Sequence, residues 1–254
     1  MKRLVLLAFL IVSLFAPQAR AASLLPTDTQ QLIIVVSPDW SSSQAHVFLC
    51  EKKGAQWEKT GPIFETVIGK RGMGIGESLA AGTIEPAGAS TLFKKEGDMK
   101  TPAGVFEVGP WMGYADKLPF ETSLPYQQTL SSFQGVDDSN SKYYNQIVDT
   151  QKIPAGSVDW KSFEMMKRVD VLYKWLMVIK SNPKNVPGKG SMVFMHVWRA
   201  KGKGTAGCTA MEEKNLLIVF KWLDAAKHPL VVQMPLDAYQ RFQSRENLPA
   251  FEEK

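Results

Sequence analysis

Cysteine and histidine are the scarce residues of this chain, two and three among 254. Metal sites draw three or four ligands at regular spacing, and no such set can be assembled here, so no metal is expected. A disulfide framework is equally remote, because two cysteines allow one bridge at most. Cys50 stands in the alternating stretch AHVFLCEKK, with Val47 and Leu49 on one face and Phe48 and Cys50 on the other. That is the setting of a packed, inert thiol. Cys208 stands among glycine, threonine and alanine. The two thiols are expected to have different jobs, although spacing alone leaves a bridge open.

Internal repeats and low-complexity tracts are also missing, and so is an apolar run of the about 20 residues needed to span a bilayer. The longest run, Leu4 to Phe15, follows Lys2 and Arg3 and precedes APQARAAS. This order reads as a secretory signal peptide cut after Ala21. Residues 22–254 are then expected to form a single domain, exported to the periplasm or cell envelope and without a stable membrane span. Cleavage removes Lys2, Arg3 and Arg20 and no acid, lowering the formal charge from +5 to +2. A chain so nearly neutral lacks the electrostatic footprint of nucleic-acid binding. Lys94-Lys95 and Arg199 to Lys203 read as solvated loop charge.

Short β-like runs dominate what remains: Leu32 to Val36, His46 to Cys50, Ile63 to Ile68, Gly104 to Val108, Asn145 to Asp149, Val171 to Ile179, Met192 to Val197 and Leu230 to Met234. One helix is expected in MEEKNLLIVFKWLDAAKH, with Leu216, Val219, Phe220 and Leu223 at helical spacing and Pro229 as its stop. A second is expected around Ser157 to Arg168. Gly69 to Gly88 and Asn182 to Gly190 read as long loops. The pattern is mainly β with a few helices.

The segment MHVWRAKGKGTAGCTAM carries one histidine and one cysteine twelve positions apart. Thr209 and Glu212 have the spacing of a capping box, which would put Cys208 just before a helix. A thiolate there would gain from the helix dipole and from free backbone N–H groups. His196 near the end of its strand could serve as base, giving the Cys–His pair of acyl transfer. Gly207 would let the backbone approach a substrate, and N–H groups around Cys208 could hold an oxyanion.

These residues resemble the L,D-transpeptidase catalytic domain family, also called YkuD-like. The resemblance rests on three motifs in order: KKEGDMKTPAGVF (Lys94 to Phe106), VDDSNSKYYNQIVD (Val136 to Asp149) and FMHVWRAKGKGTAGCTAM (Phe194 to Met211). It spans about Leu32 to Met234. It implies a β-sandwich-like domain acting on peptidoglycan stem peptides, with no metal or organic cofactor. In the family the cysteine attacks the carbonyl of the third stem residue, expels the terminal D-alanine and forms a thioester. An amine acceptor completes transpeptidation, and water would instead give L,D-carboxypeptidase trimming.

By that resemblance Cys208 is the nucleophile and His196 the base and acid. Gly207 with the Cys208 N–H shapes the oxyanion site, and Thr205 orders the loop. The third group that orients the imidazole is not visible in the sequence. Asp98, Tyr144 and Asn145 lie in family motifs and read as structural more than catalytic, with Tyr144 and Asn145 kept as substrate-binding candidates. Ala210 stands where better-studied members carry Arg or Asn, leaving Arg199 as a candidate substrate-binding cation. A non-catalytic wall-binding module is the alternative outside the enzyme class.

Overall fold

The computed structural model describes residues 22–79, 84–85 and 92–252. The signal peptide expected over residues 1–21 lies outside the described residues, as does part of the Gly69 to Gly88 loop. The fold is mainly β, as the sequence indicates. The first strand, β1 (Gln31–Ser37), is buried along its whole length. It lies between β2 (Gln44–Lys53), antiparallel, and β13 (Leu230–Pro235), parallel. That position explains why QLIIVVS is a continuous apolar run instead of an alternating one: both faces are covered.

Beyond β2 the sheet continues through β3 (Gln56–Val67), β12 (Thr209–Met211), β11 (Phe194–Val197) and β10 (Trp175–Ile179). On the other side β13 pairs with the long strand β5 (Thr101–Gly113), which carries β4 (Met73–Ile75) and β6 (Tyr126–Gln128). β5 binds β13 over Gly104 to Glu107 and β10 from Val108 onward. The succession of pairings therefore closes through β5, and the expected sandwich takes this joined form.

Two helices close over the strands. α1 (Glu213–Trp222) buries Leu216, Val219 and Phe220, and the Phe220 ring stacks on Trp111 at 4.4 Å. α2 (Leu236–Glu246) was not expected, since its sequence LDAYQRFQSRE is largely polar. Its inner face buries Ala238, Tyr239 and Phe242, and Tyr239 meets Phe48 edge-on at 5.9 Å.

Between β6 and β10 the chain forms a separate small sheet of β7 (Phe133–Val136), β8 (Gln146–Asp149) and β9 (Phe163–Met165). The helix expected over Ser157 to Arg168 is not there. Residues 163–165 pair with β7 instead, and Trp160 turns inward, its indole N–H donating to Gln134 Oε1 at 2.8 Å. Tertiary pairing overrides a weak local preference.

Removing the Phe220 ring leaves a cavity under the fully buried Trp111. Phe220→Ala is expected to cost about 3–5 kcal/mol, read as a lowered urea midpoint; an unchanged midpoint would mean α1 does not anchor the sheet.

Candidate functional site

β11 and β12 run parallel, with His196 opposite Ala210 and Met195 opposite Thr209. Cys208 is the residue that leads into β12. Both side chains are covered: Cys208 is 7% exposed and His196 5%. The thiol packs with Met112, Phe133, Met166, Tyr173, Met192 and Phe194. The Tyr173 ring also stands edge-to-face against the imidazole at 5.2 Å, so one aromatic ring neighbours both groups. The Sγ donates to the Met192 carbonyl at 3.4 Å, and the Phe194 N–H approaches the sulfur. Imidazole Nδ1 lies 2.7 Å from the Val197 carbonyl. A carbonyl can only accept, so Nδ1 carries the proton and Nε2 is left as the acceptor of the neutral ring. Val197 is thus the third group that the sequence did not reveal.

The capping expectation is overturned. Thr209 and Ala210 are in β12, and α1 starts at Glu213 behind Glu212, which makes no side-chain cap. The Thr209 hydroxyl is buried against Gln233 on β13 and cannot reach a helix terminus. Cys208 therefore has no helix dipole behind it. Burial pushes its thiol up to about 12, with the Glu164 charge acting in the same direction and the Phe194 N–H opposing it. Burial likewise lowers His196 to about 4, and the carbonyls of Val197 and Leu172 offset only part of that loss. Both groups are neutral at rest, and the thiol's hydrogen bond goes to the Met192 carbonyl. Cys50, also free and buried, is pushed up to about 12 by burial in the main core, and the two cysteines are not bridged.

The loop before Cys208 is held by hydroxyls. Thr205 Oγ1 accepts from the Gly207 N–H at 3.0 Å and donates to the Cys208 carbonyl at 2.6 Å. Thr101, the first residue of TPAG, shares its one hydroxyl proton between the carbonyls of Gly207 at 2.9 Å and Cys208 at 3.1 Å, and accepts from the Gly69 N–H at 2.8 Å. Gly207 has φ 152°, and a Cβ there would meet the Lys100 carbonyl at 3.1 Å. Since the Gly207 N–H is already bound to Thr205, it is not free to hold an oxyanion.

The other candidates are engaged internally. Tyr144 is buried, its hydroxyl donating to Glu96 and accepting from the Gly190 N–H at 3.2 Å. Asn145 donates to the Asn182 carbonyl at 2.9 Å and accepts from the Met192 N–H at 3.2 Å. The pair fastens the VDDSNSKYYNQ loop to the segment whose Met192 carbonyl meets the thiol. Asp98 accepts from Lys94 at 2.6 Å and from the backbone N–H of Lys95 and Lys100. Arg199 is exposed, its charge acting on Asp170.

Sequence reasoning missed Glu164, Arg168, Asp170 and Tyr173. The Arg168 guanidinium lies 5.3 Å from the Tyr173 ring centre and binds Asp170 through two bonds of 3.0 and 2.9 Å. Tyr173 donates to Glu164. No motif marks these residues: Glu164 and Arg168 fall in the expected helix, Tyr173 in an expected strand, and Asp170 between the two. Among the described residues no three His, Cys, Asp or Glu side chains group as metal ligands, and no helix is long and apolar enough to cross a membrane.

A mainly β domain with a buried thiol entering β12 and a buried imidazole on the parallel strand β11 defines the class of this protein. Within it the chain belongs to the L,D-transpeptidase catalytic domain family, YkuD, whose model matches residues 33–232. Two solved structures are similar in part. The "Structure of Bdellovibrio bacteriovorus Bd1075" aligns at TM-score 0.39 and 11% identity, over 86% of this chain and 55% of that one. The helical cell shape determining protein Pgp2 from Campylobacter jejuni aligns at 0.35 and 15%, over 82% and 48%. The chain thus spans about half the length of these proteins. No curated protein matches.

Because folded His196 titrates at about 4 against an ordinary 6.5, the unfolded chain alone takes up this proton between those pH values. Wild-type stability is therefore expected to fall as pH drops from 6.5 to 4, by up to about 3 kcal/mol from this residue. His196→Gln should lose that slope. Urea midpoints across the window test it, and parallel curves for the two proteins would contradict it.

Proposed function

We propose that this protein is an exported peptidoglycan L,D-transpeptidase with Cys208 as nucleophile and His196 as general base and acid. The observation that carries the reading is the Val197 carbonyl fixing Nδ1–H, which leaves Nε2 free to accept the thiol proton, within a chain that belongs to the YkuD family. Sulfur gives its proton to His196 and attacks the carbonyl of the third residue of a tetrapeptide stem. The bond to the terminal D-alanine breaks, and the imidazolium returns the proton to the leaving amine. An amine of a second stem then displaces sulfur from the thioester. The Cys208 N–H takes the oxyanion role in place of Gly207, and Thr205 holds the turn.

Neutral burial shapes how this chemistry starts. With its pKa pushed to about 12, the thiol is almost wholly protonated at neutral pH. The thiolate therefore forms during attack, as general base catalysis allows. Substrate must also displace part of the cover supplied by Phe133, Met166 and Met192. Methionine suits that task, being unbranched and adaptable.

Purified mature protein incubated with tetrapeptide muropeptides is expected to give joined dimers by mass analysis, and Cys208→Ala to give none. Shortened monomers without dimers would make it an L,D-carboxypeptidase. Stem turnover by Cys208→Ala would sink the assignment, and inactivity with intact stem binding would leave the wall-binding module.

A further inference from the structure

Glu164 lies on β9 directly opposite Gly135 of β7. Paired residues of an antiparallel ladder present their side chains on one face. A Cβ at Gly135 would stand 2.4 Å from Met192 Sδ and 3.0 Å from Met166 Sδ. That face is therefore turned toward the pocket of the thiol, whose proton rests on the Met192 carbonyl. The Glu164 carboxylate accepts from the Tyr173 hydroxyl, and the Tyr173 ring abuts His196. Among charged groups, Glu164 acts most strongly on the Cys208 sulfur.

Carboxylates outnumber cations around Glu164. Asp137 and Glu96 are the other carboxylates acting on Glu164, and Asp137 Oδ1 is buried without a hydrogen-bond partner. The cation that acts on it, Arg168, is bound to Asp170 through both of its hydrogen bonds to that carboxylate. Burial, with the Asp137 charge adding to it, raises the proton affinity of Glu164, and the Tyr173 hydroxyl partly opposes this. A carboxylate so placed favours a cation and can take up a proton.

We propose that Glu164 receives the ammonium group of the acyl acceptor and removes one of its protons, so that amine rather than water resolves the thioester. The inference rests on the Cys208 thioester proposed above. The acceptor ammonium gives one proton to Glu164 and becomes an amine. Its nitrogen lone pair forms the amide bond to the thioester carbonyl carbon, and the C–S bond breaks with its electrons on sulfur. The second nitrogen proton reaches sulfur through His196, and Glu164 releases its proton to solvent. Tyr173 acts as a positioning residue that holds the carboxylate.

The test compares wild type with Glu164→Gln, each loaded with a tetrapeptide donor and followed by intact mass. Acyl-enzyme formation is expected to be retained, and no slower in Glu164→Gln, which removes a charge that opposes the Cys208 thiolate. The ratio of joined to hydrolysed product with a stem ammonium acceptor should fall about a hundredfold, the lower end of what a general base contributes. With hydroxylamine, a nucleophile uncharged at neutral pH, the two proteins should partition alike. Tyr173→Phe should shift the ratio in the same sense but less, and it carries the test if Glu164→Gln does not fold. An unchanged ratio, a parallel fall in acylation, or an equal fall with hydroxylamine would overturn the role of Glu164 alone. Failure of wild type to form any acyl-enzyme would instead remove the thioester, and this inference with it.

Discussion

The site depends on the burial of a thiol and an imidazole in one apolar pocket. Burial disfavours the charged form of each: Cys208 is pushed up to about 12 and His196 down to about 4. A resting thiolate–imidazolium pair would have to offset two desolvation costs in a cluster built of Met112, Phe133, Met166 and Met192. Within that cluster the sulfur has one donor aimed at it, the Phe194 N–H. The neutral pair is the consequence, and any nucleophilic chemistry must generate charge only as the new bond forms.

The rest of the site keeps the neutral pair in register. The Cys208 carbonyl accepts from two threonine hydroxyls, Thr101 and Thr205, that lie far apart in sequence. Thr101 belongs to β5, the strand through which the sheet pairings close. Thr209, the next residue, is tied to Gln233 on β13, whose amide in turn donates to the Pro102 carbonyl at 3.1 Å. The TPAG and TAGC motifs are thus two halves of one buried hydrogen-bonded support. Such networks specify a single geometry when every member is satisfied, and here they set the backbone while the functional side chains project from it.

The sequence carried the strands well because most of them are long apolar or alternating runs, as in β1 and β2, and α1 shows a clear helical stripe. It misread the start of α1. Thr209 and Glu212 have capping-box spacing, yet the Thr209 hydroxyl is claimed by Gln233 across the sheet. Local spacing cannot register a competitor on a distant strand. The same blindness hid Glu164, which the pairing of β9 with β7 positions, and Tyr173, whose hydroxyl meets it; neither carries a motif. Of the small sheet only β8 was legible, in Asn145 to Asp149; β7 carries no strand signal in the expected runs, and β9 was expected as helix. His196 and Cys208 stood out as candidates because a glycine-rich return between a strand and a lone cysteine is local information.

A covered thiol also bears on survival of the nucleophile. Export, expected from the first 21 residues, would set Cys208 where disulfides form and persist. Thiol exchange and oxidation proceed through the thiolate and need access. The burial that keeps the Cys208 thiol protonated therefore also withholds it from oxidants. Both demands are met only if the cover yields to a substrate and not to a small oxidant, which calls for a lid displaced by binding energy. Met166 and Met192 pack in one cluster with the sulfur, and Gly135, where a side chain would strike both, leaves them room there.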